Sequence, residues 1–232
     1  MQIVSDQRGN IFFYILLAVV LIAALSLAIA SSMRGNSGIS NERINLVASE
    51  VIESGSRLAE TVARLRLRGI ASTAISFENS TVTGYANAAC TTDPCKIFEA
   101  TGGGLSWEES PPSSGNNQPW GYTADISITQ VGTTESDLIA ILPEMTLEAC
   151  QSLNAHLDIA APTAVPPVQA TLNSINKFTG TFAVTPVTLT PTILSGRKSG
   201  CFQATAASGT ALSSSGGPLA SKYYYYQVLI AR

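Results

Sequence analysis

The strongest hydrophobic pattern in this chain is residues 11–30, IFFYILLAVVLIAALSLAIA, which contain no charged side chain. Twenty residues in an α-helix span about 30 Å, which matches the hydrocarbon thickness of a bilayer. A helix buried in a globular core is rarely apolar on every face over this length. The pattern therefore predicts a transmembrane helix over 10–30.

A second apolar pattern follows a short polar segment. Residues 31–41 include Gly35 and Gly38 among serines and asparagines, which predicts a flexible hinge. Over 42–68 the spacing of apolar residues predicts an amphipathic helix that ends at Gly69. Its apolar stripe consists of Ile44, Val47, Val51, Leu58, Val62 and Leu65. We expect this stripe to pack against a sheet of its own domain, and part of it could instead contact other subunits.

Residues 69–232 carry shorter patterns that are typical of strands and turns. We expect strands in 73–88 around a turn at Gly84, a strand pair from 122–133 and 136–145, and further strands in 200–206 and 222–232. A helix is predicted over 146–159, beginning at Thr146. Pro186 and Pro191 restrict the segment 177–194 to an edge strand or a loop. The expected fold class is α+β, in which a long N-terminal helix, transmembrane and then amphipathic, leads into an antiparallel β-sheet head with a short second helix.

The charge distribution excludes one class of partner. Charged residues make up 12% of the chain and the net charge is −3, and that charged fraction is about half the usual share of a soluble domain. No long run of basic residues is present, so the chain lacks the electrostatic footprint of a nucleic-acid-binding protein. Neither a cofactor nor a metal is expected.

The four cysteines, Cys90, Cys95, Cys150 and Cys201, favour disulfides over a zinc site. None forms a CxxC motif, and His156 is the only histidine in the chain. Four cysteines allow three pairings, among which we favour Cys90 with Cys95 and Cys150 with Cys201. Disulfides indicate an oxidising compartment outside the cytoplasm.

The N-terminus resembles that of a type IV prepilin. Arg8 and Gly9 are followed at once by Asn10, Ile11, Phe12 and Phe13 and then by the unbroken apolar segment. The resemblance covers roughly residues 1–68. It implies a leader peptide over 1–9, cleaved by a prepilin peptidase between Gly9 and Asn10, and an assembly helix formed by residues that include Ile11, Phe12, Phe13 and Tyr14.

The resemblance implies a membrane-anchored structural subunit, a pilin, minor pilin or pseudopilin, that assembles with like subunits in a filament or secretion apparatus. The implied fold is pilin-like, with the 69–232 head in the periplasm or at the cell surface and one helix spanning the inner membrane. The family usually carries a glutamate at the fifth mature position, where this chain has Tyr14. Two alternatives stay open: a membrane-tethered binding or adhesion protein that does not polymerise, and a secreted domain released after Ala30.

No convergent set of catalytic residues is evident in the sequence. His156 and Asp158 are two residues apart, a spacing that points them to different faces of a helix, and the adjacent Glu108 and Glu109 are typical of a solvated loop. We therefore expect a protein that is not an enzyme. Four consecutive tyrosines near the C-terminus are expected to form a strand with two side chains in the core and two outside. An exposed Tyr223, together with Trp107 and Trp120, could provide a carbohydrate- or subunit-binding surface.

Overall fold

The structure is a computed structural model that describes residues 10–33, 36–107 and 118–232; within the helices, the side chains of 10–12, 25, 27–33 and 36–41 are not described. The chain divides into two compact units, Met1–Arg43 and Ile44–Arg232. We call them the N-terminal unit and the head. The predicted leader, 1–9, lies outside the described residues.

The N-terminal unit contains helix α1, Asn10–Met33. Its described side chains form a continuous run only over 13–24, which corresponds to about 18 Å of helix. Among the described residues, no helix is long and apolar enough to cross a membrane. This finding corrects the predicted transmembrane helix and, with it, the predicted single-pass location in the inner membrane.

Helix α2, Asn36–Leu67, begins inside the segment that the sequence assigns to a hinge. The sequence predicted one long N-terminal helical segment, with a transmembrane and an amphipathic part joined by a hinge over 31–41, whereas the described residues form two separate helices whose ends extend into that hinge. The predicted apolar stripe of α2 is buried from Val47 to Leu65, and it packs in one cluster with residues of the sheet. Ile44, at the start of the stripe, is only half-buried.

Gly55 allows the close approach of α2 to the sheet. A Cβ atom at this position would lie 3.2 Å from the Tyr225 hydroxyl oxygen and 3.3 Å from the Gln227 Cβ. Both residues belong to the last strand of the head, so a side chain at Gly55 would require their side chains to shift by a few tenths of an ångström. Glycine lowers helix propensity by about 1 kcal/mol relative to alanine, and the tight helix–sheet contact explains its presence in mid-helix.

The head is built around a six-stranded mixed sheet. Its strands are β1 (Gly121–Ile128), β2 (Asp137–Met145), β3 (Val168–Leu172), β4 (Val187–Leu189), β5 (Ser199–Ala207) and β6 (Leu219–Ile230), in the order β3-β5-β6-β2-β1-β4. The pairs β1–β2, β2–β6 and β5–β6 are antiparallel, whereas β1–β4 and β3–β5 are parallel. The expectation of an antiparallel sheet is therefore wrong, because both edge strands arrive through long connections that reverse their direction.

The two edge strands, β3 and β4, are linked by one buried side chain, which makes the sheet a nearly closed barrel. The Gln169 side-chain amide donates to the Thr188 carbonyl oxygen at 3.2 Å and accepts from the Thr190 N–H at 3.0 Å. These two groups flank Leu189, and a parallel neighbouring strand would bond the same pair. A pilin-like α+β fold is thus wrong for this chain: the strands curl towards closure instead of forming an open antiparallel sheet.

We expect Gln169→Ala to lower the free energy of unfolding by about 1–3 kcal/mol, because it leaves the Thr190 N–H without its acceptor. Denaturant unfolding followed by circular dichroism measures the change. Gln203→Ala is the matched control, since the Gln203 amide makes only a 3.3 Å contact to Ser221 at the surface. Equal losses in the two variants would show that the Gln169 link does not hold the edges together.

From Tyr224 to Ile230, strand β6 is buried on both of its faces. Tyr225 packs in the cluster beneath α2, whereas Tyr224 and Tyr226 pack in the cluster on the opposite face of the sheet. The prediction that two tyrosines remain outside is wrong, because curling of the sheet encloses the face that an open sheet would leave to solvent. Tyr223 is the only one of the four that is not fully buried.

The remaining local predictions have mixed outcomes. The strand pair over 122–145 is confirmed as β1 and β2, and the second helix is confirmed as α3, Leu147–His156, with the Thr146 hydroxyl accepting from the Ala149 N–H. The predicted strands in 73–88 are wrong, since this segment contributes only an isolated bridge between Ser76 and Lys96. Its backbone is held instead by side chains, chiefly by the Asn87 amide, which donates to the carbonyl oxygens of Thr73 and Ile75.

Candidate functional site

The predicted assembly residues lie at the beginning of α1. Gly9 is outside the described residues, and Asn10 is the first residue of the helix. The side chains of Ile11 and Phe12 are not described. Phe13 and Tyr14 are each about 60% exposed, with their rings edge to face at 6.2 Å. The structure thus presents these two aromatic residues at the surface of the N-terminal unit.

The disulfides join Cys90 to Cys95 and Cys150 to Cys201, the pairing that the sequence favours. The second disulfide connects α3 to β5 in the core of the head. Asn154 strengthens the same junction, since its amide donates to the Cys201 carbonyl oxygen at 2.8 Å and accepts from the Cys201 N–H at 2.9 Å. Both disulfides are compatible with a location outside the cytoplasm.

The structure brings two of the three predicted surface aromatic residues together. Trp107 and Trp120 line the same cavity, which has a volume of about 250 Å³ and opens beside α2. Tyr223 lies elsewhere, on β6 opposite Gln203 and Met145. We call the cavity between α2 and the 98–107 segment the aromatic cleft. Its other lining residues are Glu50, Ser54, Arg57, Leu58, Phe98, Gly104, Leu105, Ser106 and Tyr122.

A glycine-rich loop forms one wall of the aromatic cleft. Arg64 donates to the Gly103 carbonyl oxygen at 2.6 Å, and Arg68 donates to the Gly102 carbonyl oxygen at 2.9 Å. A Cβ atom at Gly103 would collide with the carbonyl oxygen of Ile97 and approach Thr61 on α2 within 2.8 Å. The glycines therefore serve the close packing of this loop on α2, and Arg64 links the loop to the helix by its hydrogen bond.

Polar side chains of α2 form the opposite wall. Glu50, Ser54 and Arg57 occupy successive turns on one side of the helix, because positions four and seven residues apart lie on the same face. Glu50 and Arg57 are exposed. The Arg57 guanidinium reaches the Ser54 hydroxyl at 3.5 Å. The cleft thus has a carboxylate at one position of this wall and a guanidinium two helical turns away.

Aromatic rings form the inner surface of the cleft. The rings of Phe98 and Trp107 are nearly perpendicular, with centroids 5.3 Å apart. Beneath them, Tyr122 is fully buried, and burial raises the pKa of its hydroxyl well above the ordinary value. Burial also raises the pKa of Tyr85, whose hydroxyl accepts from the Tyr122 N–H at 3.0 Å. Both phenols therefore stay neutral, and among the described lining residues the charged groups are Glu50 and Arg57 of α2.

One donor in this region has no partner. The indole Nε1 of Trp107 is buried and makes no hydrogen bond within the described part of the chain. An unsatisfied buried donor costs about 1–3 kcal/mol. The contribution of Glu50 and Phe98 to the cleft was missed by sequence reasoning, because a helix and a loop some 50 residues apart meet only through the tertiary fold. Trp107 and Trp120 were the residues of the cleft that the sequence singled out.

Residues considered for chemistry do not converge in the structure. The His156 Nδ1 lies 2.9 Å from the Ser152 carbonyl oxygen one turn earlier in α3, and its side chain is exposed. Glu108 and Glu109 fall outside the described residues. Among the residues that the structure describes, no three histidine, cysteine or acidic side chains are grouped as metal ligands. The candidate sites offered by the described residues are therefore the aromatic cleft and the exposed apolar surface of α1.

Comparison of the chain with protein-family models, with curated proteins and with solved structures finds no match.

Proposed function

We propose that this chain is a structural subunit, without catalytic activity, that assembles with copies of itself through helix α1. The resemblance of residues 8–13 to a prepilin N-terminus motivates the proposal. The observation that carries it is the exposed apolar surface of α1 in the N-terminal unit.

The apolar surface of α1 extends around the whole helix. Nine large hydrophobic side chains among its described residues are between 48% and 65% exposed: Phe13, Tyr14, Ile15, Leu16, Leu17, Val19, Val20, Leu21 and Ile22. Consecutive residues point in directions 100° apart, so these positions cover every face. Full burial of one such side chain is worth about 1.5–3 kcal/mol. A surface of this kind is favourable only where neighbouring molecules cover it.

The shape of this surface favours several identical neighbours over one partner. A single partner with a groove covers one face of a helix, as in helix-in-groove recognition. α1 is apolar on all faces and uncharged over 11–30, so a bundle of like helices would cover it more completely. Tyr14, in place of the family's usual glutamate, adds no buried charge to such a bundle.

The head has features that suit a rigid extracytoplasmic part of such a subunit. The stripe of α2 is anchored on the sheet, with Val51 and Leu65 fully buried. The Cys150–Cys201 disulfide then restrains the connection between α3 and β5. A rigid head of this kind would keep the shape of its own surface constant.

We expect Leu21→Glu to prevent assembly of the full chain, because a carboxylate in the helix bundle would be buried without a partner. The measurement is sedimentation velocity of the purified full-length protein in a nonionic detergent. Val184→Glu, at a 98% exposed position of the head, is the matched control and should assemble like the unaltered chain.

Two results would contradict the proposal. One is that the unaltered chain sediments as a monomer at every concentration. The other is assembly that persists in Leu21→Glu but is lost in Val184→Glu, which would assign the contact to the head. A chain that associates with lipid vesicles yet remains monomeric there would instead support a binding protein that does not polymerise.

A further inference from the structure

We infer that the Cys90–Cys95 disulfide is a redox switch at the surface of the head, which a dithiol opens while the Cys150–Cys201 disulfide stays closed. Its opening loosens the neighbouring glycine run, residues 102–104, from its support. The inference concerns the head alone and does not depend on assembly through α1. It rests on the accessibility of the two disulfides and on the contacts of residues 90–95, which we call the disulfide loop.

The two disulfides differ in how far a thiolate can reach them. Cys90 is half-buried, and the residues that follow it, 91–94, are exposed. Cys150 and Cys201 are both fully buried, in the same cluster as the apolar stripe of α2. Thiol–disulfide exchange requires direct attack of a thiolate on a disulfide sulfur. An external thiol can therefore attack the Cys90 sulfur, whereas the Cys150–Cys201 pair is protected while the head is folded.

The length of the closed loop decides whether the head survives reduction. Cys90 and Cys95 have a sequence separation of 5 residues, whereas Cys150 and Cys201 have one of 51. A short closed loop restrains the unfolded chain less than a long one, so its opening costs less stability. Reduction of Cys90–Cys95 alone therefore leaves a folded head, which is a condition for a reversible switch.

The Thr92 carbonyl oxygen gives the reduced form a hydrogen-bond acceptor. This oxygen lies 2.7 Å from the Cys95 Sγ and 3.5 Å from the Cys90 Sγ. A sulfur atom in a disulfide carries no proton, so neither contact is a hydrogen bond while the disulfide is closed. After reduction the Cys95 thiol can donate to this oxygen. The reduced loop thereby gains a hydrogen bond that the oxidised loop lacks.

The reaction balances with a dithiol as the reductant. One thiolate of the dithiol attacks the Cys90 sulfur, forms a mixed disulfide and releases Cys95 as a thiolate, which takes up a proton. The second thiolate of the dithiol then attacks the dithiol's own sulfur in the mixed disulfide and releases Cys90, which is protonated in turn. The dithiol leaves as a disulfide after supplying two electrons and two protons. An oxidoreductase with a Cys-X-X-Cys pair is a reductant of this chemical class.

The disulfide loop supports the glycine run by close backbone contacts. A Cβ atom at Gly102 would lie 2.6 Å from the Asp93 carbonyl oxygen and would collide with that of Lys96. The Gly103 N–H donates to the Lys96 carbonyl oxygen at 2.8 Å. On its other side, the glycine run is bonded to α2 by two arginine side chains. Opening of the disulfide frees the support on one side only, so the run becomes more mobile while it stays attached to α2.

The first test measures which disulfide opens, with the oxidised full-length protein and dithiothreitol as the probe. Thiols are alkylated with N-ethylmaleimide at successive times and located by peptide mass spectrometry. Cys90 and Cys95 should become alkylated at least about 100-fold faster than Cys150 and Cys201, because only about 10⁻³ or fewer of the molecules of a folded protein are unfolded at any moment. Circular dichroism should show that the head stays folded. In denaturing urea the difference should disappear, since burial no longer protects the second pair.

The second test measures what the opening changes, by hydrogen exchange read by mass spectrometry. The amides over 97–105 should exchange at least about threefold faster in the reduced protein, whereas those of β2 should exchange at an unchanged rate. The variant with Cys90→Ala and Cys95→Ala is the control, and it should exchange like the reduced protein with or without dithiothreitol.

Three results would overturn the inference. They are alkylation of all four cysteines at the same rate in the folded protein, alkylation of Cys90 and Cys95 only after the head has unfolded, and unchanged exchange over 97–105 after reduction. None of these results bears on whether α1 assembles.

Discussion

Replacement of Cys150 and Cys201 by alanine is expected to lower the free energy of unfolding of the head by about 4 kcal/mol. The disulfide closes a loop with a sequence separation of 51 residues, and both cysteines are fully buried. The chain-entropy account attributes the loss to the greater freedom of the unfolded chain once this loop is open. Urea unfolding of the variant and of the unaltered chain measures the difference.

The other disulfide supplies the control for loop length. Cys90 and Cys95 are only five residues apart, so Cys90→Ala with Cys95→Ala should cost about 2 kcal/mol by the same relation. The larger loss must therefore come from the Cys150–Cys201 pair. Equal losses, or a greater loss on removing Cys90–Cys95, would show that loop closure does not govern the stability of the head.

Asp137→Ala is expected to lower the free energy of unfolding by about 2–4 kcal/mol, because its carboxylate satisfies two backbone donors in a buried position. One oxygen accepts from the Ile128 N–H and the other from the Arg232 N–H, each at 3.0 Å. Asp137 is the first residue of β2, and its side chain thereby links the last residue of β1, Ile128, to Arg232, which follows β6. Loss of the carboxylate leaves both N–H groups without an acceptor.

An exposed aspartate provides the comparison for this second variant. Asp93 forms an ion pair with Lys96 at 3.4 Å, and its side chain is 61% exposed. Asp93→Ala should therefore cost no more than about 1 kcal/mol. Differential scanning calorimetry of the two variants should give a clearly lower melting temperature for Asp137→Ala. Indistinguishable melting temperatures would mean that the buried carboxylate does not hold these segments together.

The parts of the fold that were predictable are those set by neighbouring residues. The strand pair β1–β2 follows from two apolar runs separated by a short polar turn. Thr146 begins α3 because its hydroxyl accepts from the Ala149 N–H three residues later. Pro186 and Pro191 restrict β4 to an edge, because proline lacks the N–H that an interior strand must donate.

The parts that were not predictable depend on contacts between distant residues. The parallel pairing of β3 with β5 brings residue 168 opposite residue 203, and no local pattern specifies such a partner. The Gln169 link between the edge strands has the same character. Four consecutive tyrosines suggested alternate burial, yet Tyr224, Tyr225 and Tyr226 are all buried because the curled sheet has covered surfaces on both sides.

The aromatic cleft was predictable in only one respect. Trp107 and Trp120 stood out in the sequence as candidate recognition residues, and the structure places both at the cleft. Their neighbours on α2 were interpreted only as the polar face of a helix. The glycine-rich loop gave no sign that it packs on that helix, because its two hydrogen bonds to Arg64 and Arg68 span 39 and 34 residues.

Cysteine cross-linking on α1 tests assembly through this helix most directly. Val19 and Leu21 are both about 60% exposed and lie on opposite faces, about 200° apart, and all four native cysteines are paired. Under mild oxidation of the full-length protein, Val19→Cys alone should give dimers, and Val19→Cys with Leu21→Cys should give a ladder beyond the dimer. Val165→Cys with Val184→Cys, both exposed on the head, should give neither. Monomers alone in the α1 variants, or an equal ladder from the head variant, would contradict the account.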